Sequence, residues 1–146
     1  MLTEAYSSDK LLVVEHDVGN PAHNVEALFK KVHEHFGRID VIVNNAGYGL
    51  NSVVEGTTDE EARNQFEVNF WGAVRISREV RICIGSTHWC HSCRCQGVKY
   101  FREHNTPAGR ILNVSSVGGF RPNPTLAYYS ASKFGKCRDS MKMAFI

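Results

Sequence analysis

The chain has 146 residues, 42% hydrophobic and 22% charged, which is room for one domain with a real core and not for two. Seventeen basic against fifteen acidic residues leave +2 with no long run of either sign, which argues against a dedicated nucleic-acid or membrane-surface binder. No apolar run approaches the roughly 20 residues of a bilayer span. Met1-Leu2-Thr3-Glu4 opens no secretory leader, so the expected compartment is the cytoplasm, with cysteines reduced.

In chain order, Leu11-Leu12-Val13-Val14 fits a short buried parallel strand. Asn20-Pro21 reads as a helix start, asparagine capping and proline at the first position. Val25, Leu28, Phe29, Val32 and Phe36 follow at helical spacing, and Gly37 supplies the stop. Val41-Ile42-Val43 is a second buried strand running into Asn44-Asn45-Ala46-Gly47. Thr58 and Glu61 form a capping box, and the helix they open carries Ala62, Phe66, Ala73, Ile76 and Val80 on one stripe. Arg110 to Ser115 reads as a third strand, with a helix beginning near Ala127. Strand and helix in alternation are the signature of a parallel α/β sheet.

Residues 81–97 break this order. They show neither period, yet hold Cys83, Cys90, Cys93 and Cys95 with His88 and His91. The ligand types suit zinc, but they crowd into one run rather than two spaced pairs, and no metal is expected. Without this stretch Val80 would join Val98 and one helix would run on through Lys99-Tyr100-Phe101. The segment therefore reads as an atypical Cys/His-rich insertion in a single domain, 1–146, or as translated intron.

The chemistry gathers near the end of the chain. Tyr129 and Lys133 stand one helical turn apart and face the same space, with Ser116 thirteen positions upstream at a strand end. A free phenol loses its proton only near pH 10, and a nearby ammonium favours the phenolate. Lys133 is placed to do this for Tyr129, whereas Tyr128 has Ser132 four residues on, which carries no charge. Asn69 falls on the apolar stripe between Phe66 and Ala73, so it should be buried, and a buried amide must be hydrogen-bonded.

Asn-Asn-Ala-Gly after a buried strand, Asn69 on the next helix, Ser116, and Tyr129-x-x-x-Lys133 together resemble the short-chain dehydrogenase/reductase family. The resemblance covers nearly the whole chain except 81–97. It implies a Rossmann-like, doubly wound parallel α/β sheet. It also implies an NAD(P)(H)-dependent oxidoreductase that interconverts an alcohol and a ketone or aldehyde. In that reading Tyr129 is the acid/base and Lys133 tunes it and holds the nicotinamide ribose. Ser116 binds the substrate oxygen, and Asn69 binds a water in the proton relay behind the lysine. Asp17 and Val18 would meet the adenine ring, although an aspartate here is also an ordinary strand-ending residue. Asn45, Ala46 and Gly47 would pass beneath the adenosine ribose, where a small residue lets backbone approach closely. The partner would be a small alcohol or carbonyl compound, with no nucleic acid and no membrane, and full-length relatives would be homo-oligomers.

The sequence also departs from that pattern. The family opens on a glycine-rich loop that seats the cofactor pyrophosphate at a helix N-terminus. Here the close glycine pairs, Gly47/Gly49 and Gly118-Gly119, open no first βα unit. The expected sheet is therefore incomplete, lacking its first two and last strands, and the residue separating NAD from NADP is absent; NADP is preferred. The alternative is a catalytically inactive truncated remnant that binds no cofactor.

Overall fold

The computed structural model describes residues 7–78 and 110–143; residues 81–97, with their cysteines and histidines, lie outside the described residues. Helix α1 (Val25–Phe36) leads into β1 (Val41–Asn44), and a 3-10 turn (Val54–Gly56) precedes α2 (Asp59–Phe66). A π-helical segment (Glu67–Gly72) joins α2 without a break to α3 (Ala73–Arg78). Then come β2 (Arg110–Asn113), a 3-10 turn (Val117–Gly119) and α4 (Ala127–Met143).

The helix ends follow local chemistry, with one shift. The expected start at Asn20-Pro21 moves to Asn24, whose side chain accepts from the Ala27 amide at 3.1 Å. Asn20 instead accepts from the Ala22 amide at 2.9 Å and makes a turn, the other use of an Asn-Pro pair. Gly37 ends α1 in the left-handed region at φ 76°, as a C-terminal glycine should. The Thr58–Glu61 capping box is formed in both directions.

β1 and β2 pair in parallel, Val41 opposite Arg110 through Asn44 opposite Asn113. Side chains lock this register: Asn44 Nδ2 donates to Asn113 Oδ1 at 2.7 Å and to Ser77 Oγ at 3.0 Å. The small parallel sheet with its helices is an incomplete Rossmann-like α/β fold. Two expectations change. Leu11–Val14 forms no ladder, because a strand exists through a partner and none of the described residues supplies one. Val41 and Val43, expected to be buried, are 48% and 54% exposed, since among the described residues β1 pairs on one edge alone.

Apolar burial is modest and built from small side chains, among them Ala62, Ala73, Val74 and Ile76. The fully buried side chains of greatest volume are instead polar: Lys136, Gln65, Asn69 and Ser132. All four sit where α4 meets the α2–π–α3 helix and the chain leaving β1, and buried polar groups must find hydrogen-bond partners. Among the described residues no helix is long and apolar enough to cross a membrane, and no group of three His, Cys, Asp or Glu side chains could hold a metal ion.

Candidate active site

Beyond β1 the chain passes over the π segment, and Asn69 holds it there. Its Nδ2 donates to the Tyr48 carbonyl at 2.8 Å and its Oδ1 accepts from the Tyr48 amide at 2.9 Å. Gln65, one helical turn earlier, reaches the same carbonyl at 3.4 Å. The helix thus widens to a π turn at the point where one of its side chains must pair with a neighbouring backbone, a use typical of such segments. Asn69 is buried and satisfied, as its place on the apolar stripe requires.

Ser116 ends the segment after β2 in an extended conformation, and its Oγ accepts from the Gly118 amide at 3.2 Å. The 3-10 turn that follows lies directly on the backbone of α4. A Cβ at Gly119 would stand 3.1 Å from the Lys133 carbonyl carbon and the Phe134 nitrogen, so any side chain here would push on the α4 backbone. Ser115 Oγ adds a donated bond to the Lys133 carbonyl at 3.0 Å. These contacts bring the serine beside the tyrosine although they stand thirteen positions apart in the chain.

The Tyr129 ring lies between two glycines. A Cβ at Gly118 would be 3.1 Å from Tyr129 Cε1 and 3.5 Å from Ser116 Oγ, and one at Gly49 would be 3.7 Å from Cδ2 on the opposite ring edge. The nearly buried Lys133 places Nζ 5.7 Å from the centre of that ring. The same ammonium, with Asn69 Oδ1, borders Gly47: a Cβ there would be 2.9 Å from Nζ and 2.8 Å from Oδ1. Ser116, Tyr129, Lys133, Asn69 and Gly47 therefore converge on one locality.

The residues expected beneath adenosine separate. Val18, Asn45 and Ala46 line a groove of about 340 Å³ between the 14–18 segment and β1. Asp17 does not line it; its carboxylate accepts from the Gly19 amide at 2.8 Å and closes a local turn. Arg75 secures this segment from the helix side, donating to the Val18 carbonyl at 2.7 Å and to Glu67 at 2.8 Å.

Sequence reasoning missed Gly49 and Gly118 as the walls of the Tyr129 slot, and Ser132 and Lys136 as buried members of α4. Their spacing offered a signal: Tyr129, Ser132, Lys133 and Lys136 fall three or four apart, on one helical face. Lys136 Nζ donates to the Ala46 carbonyl at 3.4 Å on the groove wall. Burial, and secondarily the Lys133 charge, lowers its pKa to about 8. Below that pH the side chain is charged both folded and unfolded. Between pH 8 and the ordinary lysine value of 10.5 the unfolded chain holds the proton that the folded chain has released, so this group's contribution to stability rises with pH. Thermal melts should show Lys136→Met more stable than the parent at pH 7.5 and the gap closing by pH 10. Parallel curves would contradict the burial argument.

Comparison with known proteins bears on the fold and the family. The family model described as short chain dehydrogenase matches residues 1–88 and 92–145. An uncharacterised oxidoreductase of Schizosaccharomyces pombe is 38% identical over 125 residues, which are 86% of this chain and 36% of that protein. A 3-ketodihydrosphingosine reductase of Bacteroides thetaiotaomicron is 34% identical over 86% of this chain and 38% of its own length. The crystal structure of a short-chain dehydrogenase from Streptomyces avermitilis superposes with a TM-score of 0.69 at 27% identity, over 90% of this chain and 42% of that one. The chain thus spans well under half the length of these relatives. With its parallel α/β core and the matched sequence on either side of residues 89–91, it belongs to the short-chain dehydrogenase family.

Proposed function

We propose that the protein is an NAD(P)(H)-dependent oxidoreductase that interconverts an alcohol and a ketone or aldehyde. The convergence of the Tyr129 ring, Ser116 Oγ and Lys133 Nζ at the start of α4 carries this reading. Hydride transfer at a carbonyl carbon must be matched by a proton moving at its oxygen, and these residues supply both the proton and the grip. Tyr129 Oη gives the proton to the substrate oxygen in reduction and takes it in oxidation. Ser116 donates to the same oxygen and holds it against the phenol. Lys133, its Nζ 5.7 Å from the centre of the Tyr129 ring, is assigned to the nicotinamide ribose, and Asn69 supports it from behind.

A nicotinamide cofactor, once bound, supplies or accepts the hydride. The chain's residues suit its ribose: the absent side chain of Gly47 lets an ammonium and an amide oxygen, groups that bind hydroxyls, stand close to the backbone. Val18, Asn45 and Ala46 on the groove wall are assigned to the adenosine end, with Asp17 beside them. The Bacteroides relative is named for a ketone substrate, which supports a small-molecule carbonyl compound as the class handled here.

Titrating the purified chain with NADPH and then NADH while following its melting temperature tests the proposal. Binding at about 100 times the dissociation constant stabilises by about 2.7 kcal/mol, so a saturable rise is expected, larger for NADPH. A cooperative melt that neither nucleotide shifts would favour the non-catalytic remnant.

A further inference from the structure

Ser132 is fully buried on α4, between the proposed acid/base and its lysine, and touches no solvent or substrate space. Its Oγ donates to the Tyr129 carbonyl at 2.7 Å. With that proton committed, the oxygen can only accept, and Asn69 Nδ2 donates to it at 3.1 Å. Both Asn69 amide hydrogens are thereby committed, one to Ser132 and the other to the Tyr48 carbonyl, while its oxygen accepts from the Tyr48 amide.

The Asn69 amide and the Tyr48 peptide pair reciprocally, which fixes each relative to the other. That pair says nothing about where both stand relative to α4. Ser132 ties the pair itself to α4, beside the longer bond from Lys136 to the Ala46 carbonyl at 3.4 Å, and Gly47 and Gly49 flank Tyr48 in the chain. Gly47 borders Lys133 Nζ and Gly49 borders the Tyr129 ring. A hydroxyl that reaches neither reactive group therefore governs the spacing of both from the backbone facing them.

We propose that Ser132 is a positioning residue: its hydroxyl registers the Asn69–Tyr48 pair, and with it Gly47 and Gly49, against Tyr129 and Lys133. The inference rests on the reading of Tyr129 and Lys133 given above. Removing the hydroxyl leaves one buried Asn69 hydrogen without its acceptor, a loss comparable to one hydrogen bond.

Hydrogen exchange at the Tyr48 amide, followed by NMR on the full chain, provides the first readout. Ser132→Ala should speed it about tenfold, one hydrogen bond's worth, while amides in the body of α4 keep their rates. Ser132→Cys, which fills the site with a slightly larger atom but a weaker acceptor, should also speed it. NADPH-dependent reduction of a ketone panel provides the second: kcat should fall about tenfold with the ketone KM unchanged. Parent-like Tyr48 exchange in both variants would overturn the proposal, and should Ser132→Ala lose its cooperative melt, the cysteine variant decides alone. If the parent reduces no ketone, the proposed function fails, and Tyr48 exchange still decides the role of Ser132.

Discussion

Tyr129→Phe should lower kcat/KM for carbonyl reduction by about 10²–10⁴-fold, the usual contribution of a positioned general acid. The substitution removes one oxygen and leaves the ring. The ring edges face Gly49 and Gly118, neither of which presents a side chain that contacts the hydroxyl, so the slot should hold phenylalanine as it holds tyrosine. Cofactor affinity and melting temperature should therefore stay close to the parent's. Steady-state kinetics beside an NADPH fluorescence titration separate the two effects. Retained turnover would remove Tyr129 from the acid/base role and return attention to Tyr128.

Gly47→Ala should be damaging in a different way. The new methyl would stand 2.8 Å from Asn69 Oδ1 and 2.9 Å from Lys133 Nζ, closer than real Cβ contacts come. Asn69 is fully buried and held by hydrogen bonds to Tyr48 and Ser132, so it cannot swing away. The strain falls on the tip of Lys133 and on the backbone of 46–48. Overpacking of this kind costs roughly 1–3 kcal/mol, readable as an earlier urea midpoint. Displacing the ammonium should also abolish the nucleotide-induced rise in melting temperature. A variant with the parent's midpoint and parent's NADPH response would show that the close approach of Lys133 and Asn69 to Gly47 is not needed.

Much of the local structure was legible in the residues. The Thr58–Glu61 box and the Gly37 stop depend on side chains within four positions of the helix end, and both formed as read. Asn20 and Asn24 show the limit of such rules, because both carry capping chemistry and the first was used for a turn. Leu11–Val14 shows another: an apolar run specifies a willingness to pair, and pairing belongs to the neighbour.

The sequence by itself determined which groups could do chemistry, since phenol, ammonium, hydroxyl and amide are covalent facts and helical spacing puts Tyr129 and Lys133 on one face. It also determined the burial of Asn69, through its place on an apolar stripe. Tertiary structure alone decided the rest: the Gly49–Gly118 slot around Tyr129, the closure of 117–119 onto α4, and the Ser132–Asn69–Tyr48 chain. These contacts join residues from 11 to 80 positions apart, and distances of that kind are set by how helices and strands pack, which no local period encodes.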